Sequence, residues 1–176
     1  MSSILTKDYL KKSIFVHYGE EPFEYDKVRD ISLFQNHFNK PKVGGIWLSP
    51  KNSKFGWKDW AKKTGYKRFC DKYRWDICLK SNARILVISS VLDLKNLPTK
   101  DLFYGDYYAC TYFDFEELIR FGYDGIFVCS EIIKLVEEYQ SWYEGFKQPT
   151  LRFWNCETLL LFGIDKIDSV INYINT

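Results

Sequence analysis

One stretch of the chain, Gly44–Trp57, combines residue types that suit a ligand site. Gly44 and Gly45 allow the backbone to approach another molecule closely, and the apolar run 46–48 that follows them predicts a short strand. A polar loop rich in Ser and Asn comes next and leads into Trp57. A buried core does not require two tryptophans here, so we interpret the stretch as a strand edge that opens onto a ligand.

Two further residues lie where predicted strands end or begin. The segment 13–19 is apolar up to His17, and Pro22 breaks the pattern soon after, which places this histidine at a sheet edge. Glu157 comes directly before the apolar run 158–162. A carboxylate held at a strand start can stabilise a developing positive charge. His17 and Glu157 are therefore candidates for chemistry.

The elements that must position these residues follow one another without regular strand–helix alternation. Strands are predicted at 13–19, 45–48, 74–80, 83–88, 125–129, 150–153 and 158–162, and helices at 56–63, 114–122 and 130–143. The residues before Lys12 are expected to form a short helix or an ordered arm. Residues 20–43 and 92–97 are expected to be connections, 101–110 to be irregular, and 164–168 to be a short strand or helix. This order predicts the α+β class and one domain over residues 1–176.

Composition excludes several classes of protein. None of the apolar runs approaches the roughly 20 residues of a membrane helix, and the start of the chain lacks a secretory cleavage pattern, which predicts a cytoplasmic protein. The 5 cysteines show no Cys-x-x-Cys pair and occur with only 2 histidines. We therefore expect free thiols in a reducing compartment, with neither a structural metal nor a disulfide framework.

The net charge of +2 hides an uneven distribution of charge. The segment 51–74 holds nine Lys or Arg residues against two Asp, interleaved with six aromatic residues. Such a composition suits phosphates and stackable bases. The alternative interpretation is the solvated face of an amphipathic helix that buries its aromatic residues.

Several separated segments together resemble one known family. Phe15–Gly19, Gly45–Leu48 with the loop after it, Gly122–Ile126 and Glu157–Phe162, followed by residues 165–167, resemble compact bacterial or phage members of the ADP-ribosyltransferase superfamily. The resemblance is to the His-aromatic-Glu type, which includes diphtheria-toxin-like and poly(ADP-ribose)-polymerase-like enzymes. It implies a split β-sandwich of two mostly antiparallel sheets with flanking helices and NAD in the cleft.

The resemblance also implies roles for particular residues. Glu157 and His17 would be catalytic: the glutamate would bind the nicotinamide-ribose hydroxyl and stabilise an oxocarbenium-like ribose, and the histidine would donate to a ribose hydroxyl. Trp47 and Trp57 would sandwich the nicotinamide. The NAD-binding residues would be His17, Tyr18, Gly19, Gly45, Trp47, Ser49, Ser53 and Trp57, without a metal.

The function that the resemblance implies is transfer of ADP-ribose from NAD to a protein or nucleic acid, with release of nicotinamide. Such proteins are common among toxins and effectors, which have target or neutralising proteins, and no membrane is involved. One alternative is an NAD glycohydrolase, in which water is the acceptor. Another is a non-catalytic module that binds nucleic acid or protein through the basic, aromatic segment 51–74, and a plain structural protein is the third.

Overall fold

The computed structural model describes residues 3–28, 31, 44–104, 107–139, 151 and 154–174, and only the backbone of 102–104, 107–110 and 136–139. Its ten strands are β1 Ser3–Ile4, β2 Phe15–Gly19, β3 Ile46–Pro50, β4 Tyr73–Leu79, β5 Ile85–Ile88, β6 Thr99–Tyr104, β7 Tyr107–Phe113, β8 Gly125–Val128, β9 Thr158–Leu161 and β10 Ile167–Ile174. Its helices are α1 Lys7–Lys12, α2 Trp57–Thr64, α3 Val91–Lys95, α4 Phe115–Arg120 and α5 Ser130–Tyr139, with a 3₁₀ turn at Tyr25–Lys27. The α+β class is confirmed.

Eight of these strands form one curled sheet in the order β1-β5-β8-β9-β3-β2-β4-β10, and β6 and β7 form a separate hairpin. All neighbours in the large sheet are antiparallel except β5 and β8. The centre of the sheet therefore consists of β9, β3 and β2: β2 and β3 carry five of the candidate residues, and Glu157 directly precedes β9.

Apolar residues cover both faces of the large sheet, because successive side chains of a strand point to opposite faces. On β9, Leu160 packs into one core with Trp154 and Leu118, whereas Leu159 and Leu161 pack into a second core with Phe15. The strand is buried on both faces, which explains its uninterrupted apolar sequence.

Most predicted elements form, and their ends follow local rules. Helix α2 ends at Gly65, whose φ of 64° suits a left-handed C-cap, and α4 begins after Asp114, whose carboxylate accepts from the backbone N–H of Glu117. Helix α5 is also confirmed as far as Tyr139. Most of the predicted strand at 150–153 and most of the connection 20–43 lie outside the described residues.

Two expectations about local structure are wrong, and a third, for the tail, includes the right kind of element but with the wrong length. The described residues of the segment 101–110, which was expected to be irregular, belong to the paired strands β6 and β7, whose ladder pairs Thr99 with Phe113. Residues 92–97 contain part of α3, which begins with a capping box of Ser90 and Asp93. The tail forms the long strand β10, which pairs with β4. Long-range pairing decides two of these cases, and local sequence does not report it.

Within the part of the chain that the structure describes, none of the helices has the length and apolar character needed to cross a lipid bilayer.

Candidate functional site

The candidate site lies where β2 and β3 separate. These strands pair only at Phe15 with Pro50 and at Val16 with Ser49. Beyond that point β2 continues along β4, where His17 is opposite Trp75, and β3 continues along β9. The backbones of β2 and β3 therefore diverge inside a continuous sheet, and the divergence leaves room for a cavity.

A cavity of about 260 Å³ occupies this divergence. Six of the nine residues predicted for the site line it, whereas Gly45, Ser53 and Glu157 do not. The complete lining consists of Val16, His17, Tyr18, Gly19, Glu20, Trp47, Leu48, Ser49, Trp57, Arg68, Cys70, Cys156 and Thr158. Residues far apart in sequence thus meet around one space, as a ligand site requires.

The side chain of His17 bridges the gap between the two strands. Its Nδ1 lies 2.7 Å from the carbonyl oxygen of Trp47, and its ring stacks on Trp75 with centroids 4.3 Å apart and planes 15° apart. A carbonyl oxygen can only accept a hydrogen bond, so Nδ1 carries the proton. The orientation of the imidazole is fixed by these two contacts.

Burial also fixes the charge of His17. Desolvation lowers the pKa of His17 below its ordinary value of 6.5, and the bond to the Trp47 carbonyl opposes this shift without reversing it. The ring is therefore neutral at pH 7, and its Nε2 carries a lone pair. A Cβ added to Gly19, another lining residue, would lie 3.8 Å from that Nε2. In this state Nε2 can accept a hydrogen bond but cannot donate one, and the predicted donation would need a protonated Nε2.

Two tryptophans line the cavity, and each packs against another aromatic residue. Trp47 lies tilted against Trp154 with centroids 4.7 Å apart, and Trp57 stacks on Trp60 at 5.1 Å. Tyr66 meets Trp57 edge-on at 5.3 Å. These contacts restrain both indoles, so the aromatic wall of the cavity is rigid before any ligand binds.

Ser49 connects three elements at the cavity wall and is 3% exposed. Its Oγ accepts from the backbone N–H of Trp57 at 3.0 Å and donates to the carbonyl of Glu157 at 3.1 Å. A Cβ on Gly56 would lie 3.1 Å from the Cβ of Ser49, which explains the glycine before α2. Ser49 thus joins β3, α2 and the residue before β9, with its proton and one lone pair already in use.

Two residues predicted to bind ligand have other contacts. Ser53 accepts at its Oγ from the backbone N–H of Phe55 and shapes the loop. Gly45 has a φ of 67°, and a Cβ there would lie 2.7 Å from both the Leu161 carbonyl oxygen and a methyl group of Leu160. The glycine is needed for close packing of β3 on β9.

Glu157 lies beside the cavity, but its side chain does not line it. Its neighbours Cys156 and Thr158 do, whereas Glu157 is not among the lining residues. The Glu157 carboxylate raises the pKa of Tyr9 and Cys129, although burial is the larger cause in both. The structure therefore brings the backbone of Glu157 to the site, while its carboxylate acts on Tyr9 and Cys129 and does not line the cavity.

Sequence reasoning did not identify two charged residues that line the cavity, Arg68 and Glu20. Both are exposed, so they stand at its mouth. Arg68 belongs to the basic segment 51–74, which was the available signal, and Glu20 directly follows the predicted Gly19. Among the described residues, no group of three or more His, Cys, Asp or Glu side chains is arranged to hold a metal ion.

Comparisons of the chain with protein-family models, with curated proteins and with solved structures gave no match.

Proposed function

We propose that the chain binds NAD in the cavity between β2 and β3 and transfers ADP-ribose to a macromolecule, releasing nicotinamide. The observation that carries this proposal is that six residues named from the resemblance line one cavity. Their positions span residues 17 to 57, so their meeting is a property of the fold. The corresponding proposal for the architecture is that the curled sheet is an ADP-ribosyltransferase-like split sandwich that opens between β2 and β3.

The polar groups of the cavity match parts of NAD. The indoles of Trp47 and Trp57 offer apolar walls for the nicotinamide ring. The Nε2 of His17 would accept from a ribose hydroxyl or from the carboxamide N–H₂, both of which can donate. The exposed guanidinium of Arg68 suits the diphosphate. Binding in this manner would hold the bond between ribose and nicotinamide in a fixed position.

Cleavage of that bond needs a negative charge near the ribose, because the transition state resembles an oxocarbenium ion. Glu157 is the candidate from the sequence, and its side chain would have to turn around the start of β9 to reach the cavity. Glu20 already lines the cavity mouth. The two carboxylates are separate candidates for one role, and substituting each in turn distinguishes them.

A second candidate function is a module that binds a nucleotide or nucleic acid without cleaving it. The observation in its favour is the position of the Glu157 carboxylate, which acts on Tyr9 and Cys129 rather than on a cavity group. The glycohydrolase alternative shares the NAD site of the first proposal and differs only in using water as the acceptor.

The experiment that tests the proposal incubates the protein with adenylate-labelled NAD in a cell lysate, beside Glu157→Gln and Glu20→Gln. We expect macromolecular label and nicotinamide release in the wild type, and a loss of at least about a hundredfold in the variant that removes the catalytic carboxylate. Nicotinamide release without label would support the glycohydrolase. Binding of NAD with neither release nor label would support the second candidate.

A matched titration tests the cavity itself. NAD binding is measured by calorimetry for the wild type and for His17→Asn, whose amide can still donate to the Trp47 carbonyl but lacks the Nε2 acceptor. We expect roughly tenfold weaker binding by the variant, which corresponds to one lost hydrogen bond to a ligand donor. Equal affinity of the two proteins would show that NAD does not bind in this cavity.

A further inference from the structure

A strongly basic surface adjoins the cavity. Some of its cations form ion pairs within the described residues, and others do not. Asp76, 4% exposed, pairs with Lys51 and Arg74 at 2.8 Å each, so a buried carboxylate holds these two cations. Lys58 lies 3.7 Å from Asp71 and 5.2 Å from the centre of the Tyr18 ring. Three of the nine basic residues thus have an acidic partner, although two of them share one carboxylate.

Four other cations remain together on the end of α2 and the loop after it. Lys62, Lys63, Lys67 and Arg68 are all exposed, and none forms an ion pair with a residue that the structure describes. The segment that contains them, 62–68, includes no acidic residue. This cluster, the basic ridge, therefore presents uncompensated positive charge to solvent.

Aromatic side chains connect the basic ridge to the cavity. Tyr66, in the middle of the ridge, is 39% exposed and packs against both Trp57 and Trp60 with centroids 5.3 and 5.5 Å apart. Trp57 lines the cavity, and so does Arg68 at the end of the ridge. Contacting aromatic rings and cations thus extend from the surface to the candidate site.

We propose that the basic ridge binds single-stranded nucleic acid and delivers it to the cavity as the acceptor of ADP-ribose. This inference rests on the proposed function for the transfer step, but not for the binding. Cations at the spacing of a flexible strand attract phosphates, and an exposed ring held by other rings gives unpaired bases a stacking surface. An acidic protein partner would use the cations but would not need the exposed Tyr66.

Fluorescence anisotropy with a labelled, mixed-sequence single strand of about 20 nucleotides, without NAD, tests the binding. The substitution Lys62→Gln/Lys63→Gln/Lys67→Gln removes three cations, so the slope of log affinity against log salt should become shallower by about 2. This slope change corresponds to roughly a hundredfold weaker binding at 0.1 M salt. The matched control, Lys7→Gln/Lys11→Gln/Lys12→Gln, removes equal charge from exposed positions of α1 and should leave the slope unchanged.

A second pair of variants tests the stacking surface. Tyr66→Ala should weaken binding of the single strand by about tenfold or more, whereas Tyr66→Phe keeps the ring and should bind like the wild type. The same sequence as a duplex should bind more weakly than the single strand. Absence of wild-type binding, equal losses in the two lysine variants, or tighter binding of the duplex would each overturn the proposal.

The assay with adenylate-labelled NAD then distinguishes a failure of this inference from a failure of the proposed transferase function. We expect the macromolecular label to be removed by nuclease and to fall in the Lys62, Lys63 and Lys67 variant. Label that is lost only to protease would overturn the nucleic-acid acceptor and leave ADP-ribosyl transfer intact. Conversely, strand binding without nicotinamide release would uphold the ridge and overturn the transferase.

Discussion

Two groups of side chains meet where the chain enters β9. The cavity side consists of the residues that line the cavity, and the other side consists of Glu157 with Tyr9 and Cys129. On one side Cys156 and Thr158 face the cavity with His17, whose pKa depends on burial and on the Trp47 carbonyl alone. On the other side Glu157 acts on the pKa of Tyr9 and Cys129. One residue of sequence therefore separates a position that lines the cavity from one whose carboxylate acts on groups outside it.

This difference shows that nearness in sequence is a poor guide to membership of a site on a strand. Glu157 follows a lining residue and precedes another, yet its carboxylate is not beside His17. Its backbone does contribute, since its carbonyl accepts from Ser49 and its N–H donates to the Phe55 carbonyl at 2.9 Å. These hydrogen bonds hold the backbone of Glu157 at the cavity wall, while its carboxylate acts on groups outside the cavity.

The largest expected effect comes from breaking the joint between β3 and β9, on which both sides depend. Gly45→Ala should reduce the free energy of unfolding by about 3 kcal/mol, because the new Cβ collides with the Leu161 carbonyl at a φ of 67°. Gly65→Ala is the control: its φ is 64°, but no atom lies within 4 Å, so about 1 kcal/mol is expected. Urea denaturation measures the loss of stability in both variants. Equal losses would show that a Cβ at position 45 fits between β3 and β9 without a collision.

The next effect belongs to the cavity side and depends on pH. The folded pKa of His17 is below 6.5, so as pH falls through 6.5 the unfolded chain binds a proton that the folded chain does not. The wild type should lose up to about 1.4 kcal/mol of stability per pH unit relative to His17→Asn, until the folded imidazole protonates. His37 is common to both proteins and cancels.

Denaturant midpoints of the two proteins across this range give the measurement. The difference should be unchanged in the background of Glu157→Gln, because that carboxylate is not among the groups that shift His17. A change in that background would mean that the Glu157 carboxylate affects the pKa of His17.

The smallest effect belongs to the other side. Burial, and after it Glu157 and Glu131, raise the pKa of Cys129 to about 11, so its thiolate is scarce. Glu157→Gln removes a repelling charge and should speed alkylation of Cys129 by a few-fold at a fixed alkaline pH, with Glu131→Gln giving less. Mass spectrometry of the alkylated peptide follows the rate, and no acceleration would place the Glu157 carboxylate elsewhere.

Local sequence was sufficient for the elements that hold the candidate site. The apolar run before His17, the glycine that ends α2 and the cap of α4 each act over a few residues, so their patterns report the structure directly. Local sequence was insufficient for β6 and β7, whose ladder extends from the pair Tyr104–Tyr107 to the pair Thr99–Phe113. Pairing partners supply what the local pattern of that segment lacks.

The sequence by itself determined the period-two alternation along β9, and with it that Glu157 and Leu159 share one face while Thr158 takes the other. Only the tertiary structure decided which residues of the two faces line the cavity: Ser49 shares the face of Thr158, whereas His17 lies on the face of Leu159. That choice follows from the pairing of Leu48 with Leu159 and of Val16 with Ser49, contacts between segments far apart in the chain. Shifting either register by one residue would exchange the faces, so the placement of each charge follows from the register of the sheet.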